Sequence, residues 1–324
     1  MAEFSNKVSD NIFAAINANT KVSENLVTST EVLEEDQYIG LIKNILDNGA
    51  WEIGRNGRTK SIFGQTMRFS LAQGKIPILT TKKTAWKTCL KELLWFIRGE
   101  TDNKLLQDQG VHIWDGNSSR EFLDIRGLTS LKEGLIGPGY GFQWRNFNAP
   151  YDNQTGKLLS DSNSGVDQLQ QIIDQLRDPV QRFSRRLIMT AWNPCQLDEM
   201  ALPPCHIMCQ FNVHNGNQLS CALYQRSCDS TLGSPFNIAS YSFLTHLLAK
   251  HCGLEAYEFV YFMGNSHIYE EHIEPINEIF KRTPFPFPTV SIAQARENIN
   301  DYQVEDFEIH NYQCHEVIKM KMVA

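Results

Sequence analysis

Pro203-Pro-Cys-His-Ile-Met-Cys-Gln-Phe-Asn-Val213, His214-Asn-Gly-Asn217 and Gln218-Leu-Ser-Cys-Ala-Leu-Tyr-Gln-Arg-Ser227 follow one another without a break. They read as two β-prone runs around an Asn-Gly turn, the strongest short-range hairpin signal. A two-residue turn at Asn215-Gly216 pairs Cys205 with Arg226. Directly opposed residues share a face with Cβ atoms about 5 Å apart, so this register sets a permanent cation beside a thiol. An adjacent positive charge favours the thiolate and lowers its pKa from about 8.5. A slip of one residue would put the two side chains on opposite faces. The competing reading is that Cys205, Ile207, Cys209, Phe211 and Val213 form the core face of a strand, where cysteines are inert. An activated Cys205 does not name a substrate, and a cysteine hydrolase with His206 as base has the same local pattern.

Outward from the hairpin, Tyr38, Leu41, Ile42 and Ile45 fall at helical spacing, and Asn48-Gly49 ends the run. Residues 1 to about 34 are polar with weak periodicity and read as a loosely ordered extension, with one large domain over 35–324. Strand-like stretches occupy Lys60–Phe63 and Thr66–Ser70. Trp86, Leu90, Leu93 and Ile97 form a helical stripe, with Glu92 beside it: either a helix-edge charge reaching water or a partly buried carboxyl with a raised pKa. From 100 to 165 the chain is rich in Gly, Asn, Asp and Ser, with aromatic islands at Ile113-Trp-Asp115 and Gly137-Pro-Gly-Tyr-Gly-Phe-Gln-Trp-Arg145, a pattern of site-lining loops. Leu169, Ile172, Ile173 and Leu176 mark a further amphipathic helix that stops at Asp178-Pro179. Beyond it Arg182, Arg185 and Arg186 are either a solvated turn or guanidinium forks for a phosphate.

The 324 residues are 42% hydrophobic and 21% charged, which is globular composition, and the net charge of −7 argues against broad binding to nucleic-acid backbones. Eight cysteines without paired C-x-x-C knuckles suit neither a disulfide scaffold nor a zinc site, so no metal is expected. No apolar run approaches the roughly 20 residues of a membrane span, and the N-terminus has no signal pattern. A soluble, cytoplasmic protein acting on a small molecule is expected.

Met200-Ala-Leu-Pro-Pro-Cys-His206 and Tyr224-Gln-Arg-Ser-Cys-Asp229 resemble the nucleophile and phosphate segments of the thymidylate synthase family. Leu232-Gly-Ser-Pro-Phe-Asn-Ile-Ala-Ser-Tyr241, Gly264-Asn-Ser-His-Ile-Tyr269, Lys91-Glu-Leu-Leu-Trp-Phe96, Ile113-Trp-Asp115 and Glu305-Asp-Phe307 resemble further family segments in family order, from about residue 36 to the C-terminus. The resemblance implies an α/β (α+β) fold with a large mixed sheet flanked by helices, working as a homodimer whose sheets pack face to face. It implies a methyltransferase that converts dUMP to dTMP, with 5,10-methylenetetrahydrofolate as carbon donor and reductant.

Residue by residue, the resemblance makes Cys205 the nucleophile toward uracil C6. Arg226, Ser227 and Gln225 would serve the nucleotide, with Arg185 and Arg186 reaching its phosphate from the other subunit. Asn237 corresponds to the amide that reads the uracil edge, and His267 and Tyr269 to ligands of the sugar hydroxyl. Glu92, Tyr140 and His206 would handle protons. Ile113, Trp114, Asn117, Leu202, Asp229, Leu232, Gly233 and Phe236 would line the folate pocket, with Asp229 holding the pterin and counted also in the catalytic and dUMP sets.

Three departures stand out. The loop Arg55-Asn-Gly-Arg-Thr-Lys-Ser61 is one residue short, leaving Arg55 or Arg58 as the loop phosphate ligand, with Arg55 favoured. Ser230-Thr231 follows the pterin aspartate where larger or apolar residues are usual. The chain ends Val323-Ala324 rather than Ala-Val, so the carboxylate of Ala324, expected to close over the folate, carries a smaller side chain. Looser closure would suit a dUMP hydroxymethylase, in which water captures the exocyclic methylene; Asn237 counts against a cytosine substrate. A catalytically idle paralogue that binds nucleotide or its own messenger RNA would be expected to lose Cys205, Arg226 or Asn237, and all three are present.

Overall fold

The computed structural model describes residues 33–54, 56–159 and 164–322. Residues 1–32 of the extension, Arg55 and Ala324 therefore lie outside the described residues. Tyr38, Leu41, Ile42 and Ile45 become the buried stripe of helix α1 (Asp36–Asn48). Just before it, the Glu34 carboxylate is already engaged by Lys75 Nζ and the Ser70 amide, each at 2.6 Å. Strands β1 (Ala50–Gly54) and β2 (Gly57–Ser70) form an antiparallel hairpin. Two separate strands were expected across β2. Gly64 takes a φ of 76° that glycine alone adopts freely; it is skipped in the pairing, but the ladder with β6 keeps the same register on either side of it, from Phe63 opposite Asn265 to Gln65 opposite Met263.

Helix α2 (Trp86–Ile97) is buried over most of its length. The segment expected as long loops instead carries one-turn helices at Lys104–Gln107, Asp115–Ser118 and Arg120–Ile125, followed by α3 (Gly141–Asn146). The Asn, Asp and Ser that give it loop-like composition act in part as caps: Asp102 accepts from the Lys104 amide at 2.9 Å and Ser119 from that of Phe122 at 3.3 Å. Helix α4 (Gln168–Arg177) buries Leu169, Ile172, Ile173 and Leu176, as the spacing predicts.

Next come β3 (Ile188–Thr190), β4 (His206–His214), β5 (Gln218–Asp229), α5 (Gly233–Cys252), β6 (Glu255–Tyr269), α6 (Glu270–Ile276) and a small ribbon of β7 (Thr289–Ile292) and β8 (Phe307–His310). Six strands make one sheet in the order β1-β2-β6-β5-β4-β3; β5 and β6 are parallel and the other pairs antiparallel. This is the mixed α/β architecture expected. Helix α5, apolar on nearly every side, packs on β5, β6 and α2 and is the centre of the core. On the opposite face Met208, Tyr224 and Phe262 lie side by side across β4, β5 and β6, and they are 38%, 36% and 42% exposed.

The decisive hairpin departs from the simplest reading in two ways that cancel. His214 pairs with Gln218, so the turn has three residues, with Asn215 and Gly216 at φ 46° and 88°. That alone shifts every downstream pair by one residue. A bulge between His206 and Met208 restores the register: His206 pairs with Gln225, and the Arg226 amide donates to the Cys205 carbonyl at 2.9 Å.

Candidate active site

Cys205 stands just ahead of β4, after the Pro203-Pro204 pair that keeps the chain out of the ladder. Arg226 is fixed by its own hydrogen bonds, Nε to the Pro204 carbonyl and Nη2 to that of Pro203, both 2.8 Å. Its guanidinium also lies over the Trp192 ring at 5.5 Å, and Nη2 comes within 3.9 Å of Cys205 Sγ. The thiol and the cation therefore share a face, as the sequence implies.

Both line a polar cavity of about 550 Å³ together with Ser227, Asp229, His267 and Tyr269. A second cavity of about 250 Å³ is mostly apolar and is lined by Ile113, Trp114, Leu232, Gly233 and Phe236, with Glu92, His206 and Asn237 among its polar groups. Asn117, Leu202 and Asp229 belong to both walls, so the chambers adjoin. Asn117 Nδ2 is buried without a hydrogen-bond partner at this junction, an orphan donor suited to a ligand acceptor.

Glu92, on α2, is 7% exposed, which rules out the helix-edge reading. Trp114 Nε1 donates to its carboxyl at 2.7 Å. Burial pushes that carboxyl up from its ordinary 4.5 to about 7, outweighing the indole hydrogen bond, which pulls the other way. Tyr140 sits at φ 38°, a strained conformation for a residue with a side chain, at the start of α3. The next residue explains how this turn is held: a Cβ on Gly141 would lie 2.4 Å from the Phe96 carbonyl oxygen, so only glycine lets α3 close onto α2. The Tyr140 ring then stacks on Phe96 with centroids 4.9 Å apart, and its hydroxyl accepts from the Cys205 amide at 2.9 Å. Burial holds the tyrosine well above its ordinary pKa, so it is a neutral phenol.

His206 turns away from Cys205 into the apolar cavity, where Nδ1 pairs with the Tyr241 hydroxyl at 2.8 Å. Burial holds its pKa down to about 3. The imidazole is on the other wall from the thiol, so the base needed for a cysteine-hydrolase reading is misplaced.

Several expected residues are elsewhere. Gln225 is buried and committed to Tyr261, whose hydroxyl donates to it at 2.7 Å, and to the Ser227 carbonyl at 3.0 Å; it lines neither cavity. Strand alternation puts it on the face opposite Arg226. Arg185 and Arg186 are exposed and line neither cavity of this chain. Arg58 pairs with Glu270 at 2.7 Å and stacks over Trp51 at 4.0 Å, away from the cavity.

Sequence reasoning missed Asn265, Arg126 and Met322. Asn265 has a signal, since period two on β6 puts Asn265, His267 and Tyr269 on one face, and Asn265 Oδ1 meets His267 Nδ1 at 2.9 Å. Arg126 lines the polar cavity from a turn, with Nε on the Ala201 carbonyl at 3.2 Å, and no local pattern marks it. Met322 lines the apolar cavity. Among the described residues no cluster of His, Cys, Asp and Glu could hold a metal, and no helix is long and apolar enough to cross a membrane.

A cysteine held against an arginine in a polar chamber, with an apolar chamber adjoining, marks an α/β protein whose candidate site has two compartments. The family description "Thymidylate synthase" matches residues 36–324, and the chain belongs to that family. It is 46% identical over 303 residues to the thymidylate synthase of Saccharomyces cerevisiae, covering 89% of this chain and 97% of that protein. It is 51% identical over 293 residues to the bifunctional dihydrofolate reductase-thymidylate synthase of Paramecium tetraurelia, covering 90% of this chain and 62% of that protein. The corresponding protein of Leishmania major is 48% identical over 293 residues. The chain spans 55–62% of the length of these bifunctional relatives.

Proposed function

We propose that this protein converts dUMP to dTMP with 5,10-methylenetetrahydrofolate, and the observation that carries the reading is the Cys205–Arg226 pair in a polar chamber that adjoins an apolar one. The polar chamber suits a nucleotide, with Arg226 and Ser227 for the phosphate and His267 and Tyr269 for the sugar. The apolar chamber suits a pterin: aromatic walls, the Asp229 carboxylate as acceptor for ring N–H donors, and the orphan Asn117 amide. The folate supplies one carbon and a hydride when bound.

In this reading Cys205 Sγ bonds to uracil C6, making C5 nucleophilic. C5 gains the carbon and loses its proton, and breaking the S–C6 bond returns the thiolate. Asn237 reads the uracil edge and, with the Glu92 carboxyl in its protonated form and its neighbours, supplies hydrogen bonds where charge builds on O4. His206, held neutral, serves as a hydrogen-bonding element beside Tyr241 rather than as an acid.

The partner is a second copy of this chain. The exposed row of Met208, Tyr224 and Phe262 offers an apolar sheet face to cover, and the exposed Arg185 and Arg186 would then serve the other subunit's phosphate. A cytoplasmic location goes with this reading.

Incubation with dUMP and methylenetetrahydrofolate, with both products identified by mass spectrometry, tests the activity. Formation of dTMP and dihydrofolate, abolished in Cys205→Ala, is the expected result. Hydroxymethyl-dUMP and tetrahydrofolate would mean that water captures the methylene instead. Absence of turnover with tight dUMP binding would mean an idle paralogue.

A further inference from the structure

Thr231, one of the two unusual residues after Asp229, is fully buried, and its hydroxyl has two partners. Thr231 Oγ1 lies 2.6 Å from Asp229 Oδ1 and 2.7 Å from His272 Nδ1. His272, also fully buried, uses Nε2 to donate to the backbone carbonyl of Lys321 at 2.7 Å. The next residue, Met322, lines the same apolar cavity as Asp229. A continuous hydrogen-bonded chain thus joins the carboxylate on one wall of that cavity to the C-terminal segment on another. Thr231 donates its one hydroxyl proton to Asp229, and the same oxygen meets Nδ1 of the His272 ring, so the hydroxyl is the link between ring and carboxylate. The surrounding loop is pinned as well: Tyr38 donates to the Ser230 carbonyl at 2.9 Å and Lys82 donates to that of Thr231.

We infer that Thr231 and His272 are positioning residues that couple ligand capture at Asp229 to the seating of the C-terminal segment over the apolar cavity. A ligand that draws on the Asp229 carboxylate changes what Thr231 can offer His272, and so the strength with which His272 holds Lys321; reciprocally, a seated segment orients the carboxylate. This rests on the proposed folate site for the identity of the ligand, and the tether itself is independent of turnover.

The test uses the full chain with Thr231→Val, which keeps the branched shape and removes the hydroxyl, and Thr231→Ser, which keeps the hydroxyl. Hydrogen–deuterium exchange of the C-terminal peptide is read first, without ligands. Thr231→Val is expected to exchange about five- to tenfold faster than wild type, as for loss of roughly one hydrogen bond, and Thr231→Ser at the wild-type rate. His272→Leu breaks the other end and is expected to match Thr231→Val, with no further loss in the double variant. In turnover, Thr231→Val is expected to raise KM for methylenetetrahydrofolate about tenfold and that for dUMP less than twofold. Exchange in Thr231→Val equal to wild type, failure of Thr231→Ser to restore it, or additive losses in the double variant would overturn the relay. An inactive wild type would sink the proposed function, while the exchange readout would still decide the relay.

Discussion

Burial of Glu92 carries a stability cost with a defined pH signature, and Glu92→Gln exposes it. The folded chain holds this carboxyl at about 7, against an ordinary 4.5. Between those values the unfolded chain gives up the proton first, so the folded state binds more protons and stability falls as pH rises. Above 7 both states are ionised and the full cost remains. Linkage puts that cost below about 1 kcal/mol at pH 5 and at roughly 3 kcal/mol at pH 8. Glutamine is neutral throughout and keeps an oxygen to accept from Trp114 Nε1. Relative to wild type, Glu92→Gln is therefore expected to gain about 2–3 kcal/mol on going from pH 5 to pH 8, whatever constant offset the amide adds. Urea unfolding of both proteins at the two pH values, at one fixed protein concentration, measures this. A wild-type-minus-variant difference that is the same at both pH values would refute the argument, because no pH-independent contact can mimic the change. The variant is expected to lose turnover while gaining stability, with the ionisation near 7 missing from its kcat/KM profile.

Other outcomes follow from the same geometry. Arg226→Ala is expected to weaken dUMP binding by roughly 10- to 100-fold, the worth of a charge-assisted contact, as read by titration calorimetry. Arg185→Ala and Cys205→Ala are each expected to be nearly inactive; mixing and reassembling them in equal amounts should recover about a quarter of wild-type activity, because half the dimers then hold one intact site. Recovery of none would remove the cross-subunit arginine. Glu35→Ala is expected to cost about 3–4 kcal/mol in urea unfolding, since this buried carboxylate accepts from the amides and hydroxyls of both Thr80 and Thr81.

What the sequence discloses depends on whether the determinant is local. Helices α1, α2 and α4 are legible because single apolar stripes, Tyr38 to Ile45 for example, are written within four residues of one another. Asn265 is half legible, since period two extends the His267–Tyr269 face by one step. Arg126 and Met322 are not legible, because what brings them to the cavities is a turn and a chain end folded against distant elements. Glu92 shows the limit from the other side. Position leaves its burial open, and only the packing of Trp114 against α2 decides it.

The hairpin holds a sharper lesson about why the thiol and the cation meet. Turn chemistry alone predicts the correct partner for Cys205 by way of an incorrect turn, because the extra residue at Asn217 and the bulge before Met208 offset each other. The two irregularities are separated by most of β4, so neither is the local repair of the other. Between them the ladder runs one residue out of the simple register, which sets Met208 across from Tyr224 and, through β5, in line with Phe262. The same offset that builds the exposed apolar row is undone at His206, where Cys205 must face Arg226. A ladder with the two-residue turn and no bulge would keep the thiol beside its cation and would pair Met208 with Leu223 instead, setting a buried core residue against the outward face. The bulge therefore lets one strand satisfy two registers: one for the sheet face that a second copy would cover, and one for the thiol.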